Sequence, residues 1–186
     1  MNKTLLGILV VSVACYVWGF LYWGVSNVPY AAWSQAPNDA AVQESLRELL
    51  PESGTYYIPG LDHEDEQLAS LFASGPVAFI HVNLDGRPMV DPTIMIGGML
   101  LTVLIVSFMA LFFKVTGASE FRDFARQSVI VGVLMVIAFD GGDLVWWQIP
   151  LEWKLAQAIY NFTLIILAGH LLGIFMKAKK EQPATS

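Results

Sequence analysis

Four long apolar runs alternate with polar segments along this chain, and they form the strongest pattern in its sequence. The runs cover residues 5–24, 93–115, 128–147 and 155–176. Each is about 20 residues long, which is the length that a helix needs to cross the hydrocarbon core of a bilayer. Hydrophobic residues make up 55% of the chain, a share typical of a membrane protein. The pattern predicts a membrane all-α protein with four transmembrane helices.

One long polar segment, 26–91, interrupts this pattern between the first and second runs. Apolar residues at helical spacing predict a helix over 40–50, and a second, acidic helix begins at Asp62. Short β-rich stretches predict strands over 55–58 and 77–82. The segment therefore predicts a small α+β extracytoplasmic domain. Because a two-stranded sheet is marginal alone, we expect this domain to need the membrane helices or a partner.

The predicted organisation has four parts. They are an uncleaved N-terminal anchor helix (1–25), the α+β domain (26–92), a three-helix membrane region (93–177) and a short tail (178–186).

Basic residues set the predicted orientation of the helices. Most of them flank the helices on one side, at Lys3, Lys114, Arg122, Arg126, Lys177, Lys179 and Lys180. The opposite side holds only Arg47, Arg87 and Lys154. Since cytoplasmic loops are enriched in Lys and Arg, both termini and the loop 116–127 are predicted to be cytoplasmic. The α+β domain is then periplasmic.

Charge and motif content narrow the function classes. The α+β domain carries ten acidic residues against two arginines, which argues against nucleic acid as a partner. The signatures of common hydrolases, nucleotide-binding loops and paired-cysteine sites are missing from the sequence, so we expect no enzyme. Cys15 is the only cysteine, which excludes an intrachain disulfide. We predict neither a metal site nor a cofactor.

Two carboxylates, Asp140 and Asp143, lie inside the third apolar run and are the sharpest candidate site. A carboxylate there is costly, so it should face protein or water rather than lipid. Residues three apart share a helix face. The third and fourth helices must be antiparallel neighbours, and counting residues from their short connection places Gln157, Tyr160 and Asn161 opposite the two acids.

Several readings of this polar cluster remain open. Asp140 and Asp143 could form a proton or cation site, or a docking point for a Lys or Arg of another subunit. Alternatively, one or both acids could simply be hydrated at the membrane surface, because Asp143 lies close to the tryptophans at the end of the run.

His170 and the tryptophans are the remaining candidates for chemistry. A single histidine in the fourth run cannot complete a bis-histidine haem site within the chain, so a structural role is favoured over a ligand role. The tryptophans are typical of a membrane-interface belt, and a stacking wall for a quinone or haem is the alternative. Gly97 and Gly98, followed by Thr102 and Ser107, indicate a helix-packing face in the second run.

The order of an anchor helix, a small outer domain and three further helices resembles a group of uncharacterised four-helix bacterial inner-membrane proteins. The segment 50–59 (LPESGTYYIP), the Gly75-Pro76 pair and the 87–89 segment (RPM) carry this resemblance, which extends over most of the chain. It implies a multi-pass protein of the bacterial inner membrane, and it implies no activity.

These observations lead to three hypotheses. The first is a non-enzymatic accessory or assembly subunit of a larger membrane complex, whose partners are other integral membrane proteins. The second is a small transporter or proton- or cation-conducting homo-oligomer that uses Asp140 and Asp143. The third is a redox subunit that contacts a quinone or haem through the tryptophans and His170.

The predicted topology can be tested by cysteine labelling in a Cys15→Ala background. A membrane-impermeant maleimide should label Ser45→Cys in intact cells, because this residue lies in the predicted outer domain. It should label Ser119→Cys only after permeabilisation. Labelling of Ser45→Cys from the cytoplasmic side alone would contradict the orientation.

Overall fold

The computed structural model describes residues 3–178 and divides the chain into two compact units. The first unit joins the N-terminal part, up to Trp33, to everything from Pro92 onward. The second unit is Ser34–Asp91. It begins eight residues later than the predicted domain boundary, because Tyr30 and Trp33 stack on each other and on tryptophans of the first unit.

Helices make up the first unit. They are α1 (Lys3–Gly19), which continues as a π-helix (Phe20–Val25), a 3₁₀ turn (Pro29–Ala32), α4 (Pro92–Val115), α5 (Phe121–Met135), which continues as a π-helix (Val136–Gly141) and as α6 (Gly142–Trp146), and α7 (Leu151–Met176). The second unit contains α2 (Asp39–Leu49), β1 (Gly54–Ile58), α3 (Asp65–Ser74) and β2 (Ala78–Val82).

The prediction of four long apolar helices and a small two-stranded sheet is confirmed. The helices that are long and apolar enough to cross a membrane are Lys3–Val25, Pro92–Val115, Phe121–Trp146 and Leu151–Met176. They suggest a multi-pass membrane protein.

The third long helix, which consists of α5, the π-helix after it and α6, begins at Phe121. This start lies well before the apolar run at residue 128, because polar side chains cap the first turn. The Glu120 side chain accepts the backbone N–H of Asp123, and Asp123 Oδ2 accepts the N–H groups of Glu120 (2.9 Å) and Ser119 (3.1 Å). This reciprocal capping box satisfies donors that the first turn would otherwise leave unpaired. The loop before α5 is therefore shorter than the predicted 116–127.

The core of the first unit lies along α7, which packs against α5, α1 and α4. Small residues allow the closest approach. A Cβ atom added at Gly169 would lie 2.2 Å from Cβ of Ser128 on α5, and one added at Gly173 would lie 3.0 Å from Cβ of Phe124. Glycines at such positions let helix backbones come together and gain van der Waals contact.

The packing face expected at Gly97 and Gly98 does not form as predicted. A Cβ atom at Gly97 would have no neighbour within 4 Å, and one at Gly98 would meet only the Tyr16 ring, at 3.6 Å. The hydroxyls of Thr102 and Ser107 donate to carbonyls four residues back in their own helix. The buried face of α4 lies nearer its C-terminal end, at Val106, Met109, Ala110 and Phe113.

The second unit is built on the antiparallel pair β1–β2, whose register runs from Gly54 opposite Val82 to Ile58 opposite Ala78. The rings of Tyr57 and Phe79 meet across the strands at 6.2 Å. Asn38 caps α2 by accepting the N–H of Ala41. The acidic helix begins at Asp65 rather than at the predicted Asp62.

Substitution of Gly169 should test the close approach of α5 and α7. Gly169→Ala should lower the free energy of unfolding by about 1–3 kcal/mol, because the added methyl group meets the Ser128 side chain at its rigid base. Gly97→Ala is the matched control: it adds the same atom to an apolar helix where nothing lies within 4 Å. Thermal unfolding in detergent would measure both.

Ser128→Gly in the same chain removes the clashing Cβ atom, so it should restore much of the stability lost in Gly169→Ala. Equal melting temperatures for Gly169→Ala and Gly97→Ala would contradict the packing described above.

Candidate functional site

A buried lysine holds the two carboxylates of the third apolar helix together. Nζ of Lys154 lies 2.7 Å from Oδ1 of Asp140 and 2.8 Å from Oδ2 of Asp143. The side chains of Lys154 and Asp140 are only 5% and 4% exposed, whereas that of Asp143 is 37% exposed. The site therefore has a buried ion pair at its centre and a second, partly exposed acid at its edge.

Amide side chains complete the cluster. Lys154 Nζ also donates to Oε1 of Gln157 (2.8 Å), so all three ammonium donors are used. Nδ2 of Asn161 donates to Oδ2 of Asp140 at 3.2 Å. With its acids and its lysine ionised, the cluster carries one net negative charge. The unused hydrogen-bonding capacity lies mainly on Asp143.

The spacing along α7 explains how one helix supplies three of these groups. The helix begins at Leu151, which places Lys154 in its first turn rather than in the preceding loop. Gln157 and Asn161 follow three and seven residues later, so the three side chains share a face. This face points toward the segment that carries the two aspartates.

The aspartates come from an irregular part of the third helix. Asp140 lies in the π-helical segment Val136–Gly141, and Asp143 lies in α6 directly after it. A π-helical turn contains extra backbone length and changes which side chains share a face. The carbonyl of Asp143 accepts the N–H groups of Trp147 and Ile149, and Gln148 has a φ of 51°. This tight turn returns the chain to α7.

Tyr160 is the one member of the predicted cluster that the structure places elsewhere. Its ring lies 5.5 Å from that of Tyr22 and 5.3 Å from that of Trp23. Its hydroxyl oxygen would lie 3.0 Å from a Cβ atom at Gly19 on α1. Tyr160 faces the N-terminal helix, whereas Asn161, the next residue, faces Asp140.

An aromatic group covers the same end of the unit and joins α1 to α7. The Tyr22 hydroxyl donates to the carbonyl of Ala156 at 2.8 Å, two residues after the lysine. The Trp23 ring packs edge-on against Trp153 at 5.8 Å, and Tyr30 donates to the Trp23 carbonyl. These contacts tie the first turns of α7, and with them the helical turn that carries Lys154, to the end of the N-terminal helix.

His170 lies apart from this cluster. Its Nδ1 atom is 2.8 Å from the carbonyl oxygen of Ile166, so this nitrogen carries the proton and donates within its own helix. The ring also packs edge-on against Phe121. Its side chain borders an apolar groove of about 400 Å³ that includes Trp18 and Phe162. Within residues 3–178, no group of three His, Cys, Asp or Glu side chains could hold a metal ion.

Sequence reasoning identified the acids and amides but missed Lys154. It treated the lysine as an extracytoplasmic charge, and one of its open interpretations placed a basic partner of Asp140 in another subunit. The structure supplies that partner from the same chain. The spacing of residues 154, 157 and 161 is the signal that would have revealed it, since it aligns Lys154 with the two amides.

Comparison of the chain with protein-family models, with curated proteins and with solved structures finds no match.

Loss of the lysine should destabilise the helical unit strongly. Lys154→Met should lower the free energy of unfolding by about 3 kcal/mol, because it leaves Asp140 buried without a counter-charge. Glu152→Gln is the control: it removes an exposed charge from the same helical turn and should change the stability by about 0.5 kcal/mol or less. Reversible unfolding in mixed micelles would measure both.

A double-mutant cycle measures the coupling free energy between Lys154 and Asp140 separately from the cost of each single substitution. Lys154→Met combined with Asp140→Asn should recover part of the loss, because no unpaired buried charge remains. Strictly additive costs would mean that the two side chains are not coupled.

Proposed function

We propose that this chain is a non-enzymatic accessory or assembly subunit of a larger complex in the bacterial inner membrane. In this proposal both termini are cytoplasmic, and the Ser34–Asp91 unit extends into the periplasm. The four apolar helices anchor the chain, and the periplasmic unit binds another subunit.

The packing of the Ser34–Asp91 unit is the observation that carries this proposal. Among residues 34–91, all of which the structure describes, only Leu50 and Pro59 are buried. Neither α2 nor α3 has a buried residue. Large apolar side chains are instead exposed, with Leu49 at 77% and Leu61 at 69%. A unit that buries so little of its apolar surface gains more from a protein partner than from its own core.

The two-stranded sheet adds a second feature that suits a partner. Each strand pairs with only one neighbouring strand, so each has one edge with no strand beside it. Such edges accept a further strand through backbone hydrogen bonds. A partner that adds a strand here and covers the exposed leucines would use both features.

The Lys154 cluster supports a structural role rather than catalysis. Its lysine directs all three donors to groups of the same chain, and Asp140 is bonded on both oxygens. A saturated cluster of this kind holds two helices in register. It leaves little capacity to bind a substrate.

A second candidate is a small oligomeric transporter or proton- or cation-conducting protein. The observation that favours it is the uncompensated negative charge of the cluster, together with the partial exposure of Asp143. Ionisable side chains at such positions are common in ion pathways. In this case Asp143 would exchange the proton or cation while Lys154 and Asp140 stay paired.

Affinity purification of the full chain in mild detergent, followed by mass spectrometry, tests the first proposal. The wild-type chain should co-purify with other membrane subunits in fixed ratio. Leu49→Ser combined with Leu61→Ser should reduce their recovery by about tenfold or more, because the exposed apolar contact is removed. The melting temperature should change little, since neither side chain is buried.

Gln43→Ser combined with Gln67→Ser is the matched control, since it changes two exposed polar positions of the same unit and should keep every partner. Purification of a homo-oligomer alone would contradict the accessory role. Proton flux through such a homo-oligomer in vesicles, abolished by Asp143→Asn, would establish the second candidate instead.

A further inference from the structure

A cavity of about 850 Å³ lies at the end of the helical unit opposite the Lys154 cluster. Three basic residues from distant parts of the chain line it: Lys3 at the start of α1, Arg122 in the first turn of α5, and Lys177 directly after α7. Phe121 and Phe175 contribute apolar walls. Basic and apolar surfaces therefore meet in one cavity.

Local contacts hold the three basic segments together. The N–H of Ala178 donates to the carbonyl of Ser119 at 2.8 Å, which ties the chain after α7 to the segment before α5. Gly173 admits the Phe121 ring, which would lie 3.2 Å from a Cβ atom there, and Gly7 likewise admits Phe175. The cavity is thus formed by the way α1, α5 and α7 pack, and no single segment of the chain supplies it.

The acids nearest the cavity are engaged by the backbone. Glu120 is the one acid in the described lining, and its side chain accepts the N–H of Asp123. Asp123 itself accepts the N–H groups of Ser119 and Glu120. Among residues 3–178, no ion pair joins Lys3, Arg122 or Lys177 to a carboxylate. Within residues 3–178, the lining therefore has three cations against one acid.

The position of the cavity limits the ligand. It lies where α1, α5 and α7, three helices long and apolar enough to cross a membrane, begin or end, which is the depth of lipid headgroups for helices of this length. Phe121 and Ile174, both in the lining, are exposed. Their exposed apolar side chains lie in the same cavity as the basic residues. A ligand that fits has a phosphate group at one end and hydrocarbon at the other.

We propose that this cavity binds the phosphate group of an anionic membrane phospholipid. The cations from α1, α5 and the end of α7 contact the headgroup, and the acyl chains lie along Phe121 and Ile174. Basic pockets between helix ends bind anionic lipids in this way. The site is independent of the partner surface proposed above, because it uses no residue of the Ser34–Asp91 unit.

Native mass spectrometry of the purified full chain from mixed micelles tests the proposal. The micelles contain equal amounts of phosphatidylglycerol and phosphatidylcholine. The wild-type chain should retain phosphatidylglycerol preferentially as its first bound lipid. Arg122→Gln combined with Lys177→Gln should reduce this preference by at least about tenfold, since one cation near an anionic headgroup contributes roughly a fivefold effect.

Lys114→Gln combined with Arg126→Gln is the matched control. It removes the same charge from the same end of the helices, at exposed positions outside the described lining, and should leave the preference nearly unchanged. Lys177→Gln alone changes a residue beyond the end of α7, so it preserves every helix and should still reduce the preference about fivefold.

Three results would overturn the proposal. Equal losses in the two double variants would mean that net charge, rather than this cavity, selects the lipid. A wild-type chain without preference would remove the site altogether. Displacement of phosphatidylglycerol by millimolar inorganic phosphate would mean that the cations bind free phosphate and that the apolar walls contribute nothing.

Discussion

The ion pair between Lys154 and Asp140 is the contact on which the helical unit depends. Burying either charge alone among apolar side chains would cost several kcal/mol, so each side chain can be buried only where the other is present. Since Lys154 lies in the first turn of α7 and Asp140 lies near the end of the third helix, their pairing sets how far one helix is displaced along the other. The amide of Asn161 satisfies the second oxygen of Asp140.

The rest of the α5–α7 contact agrees with the register that this pair imposes. At the opposite end, Gly169 faces Ser128 and Gly173 faces Phe124 so closely that a larger residue at either position would force its neighbour to move. A shift of one turn would separate the charges and, because the two glycines lie four residues apart, would bring the side chain of Ile165 or Lys177 into one of these two positions. Polar and steric constraints at the two ends of the helix pair therefore specify one arrangement. The cavity lined by Arg122 and Lys177 exists because this arrangement brings their segments together.

The two units of the chain differ in how completely each buries its apolar side chains and pairs its polar groups. The helical unit has a continuous core and a polar cluster whose lysine is fully bonded. The Ser34–Asp91 unit buries almost none of its apolar residues, and its sheet has no third strand at either edge. This contrast is the physical basis for proposing an anchored subunit: the helices hold the chain in the membrane, and the less complete unit has the surface that gains most from binding.

The sequence by itself determined the features that depend on local pattern. Run length predicted the four apolar helices, and the strands formed within one residue of their predicted bounds. It also placed Gln157 and Asn161 beside the acids, because antiparallel neighbours can be aligned by counting from their connection.

Tertiary structure decided the rest. A π-helical turn changes which side chains of the third helix share a face. The spacing of residues along the sequence therefore does not show that Asp140 and Asp143 both contact Lys154. Likewise, the sequence does not distinguish Gly169 from Gly97. Only the packing of α7 against α5 shows that Gly169 is in close contact and that Gly97 is open. The reason is that contact between helices depends on atoms that lie far apart along the chain.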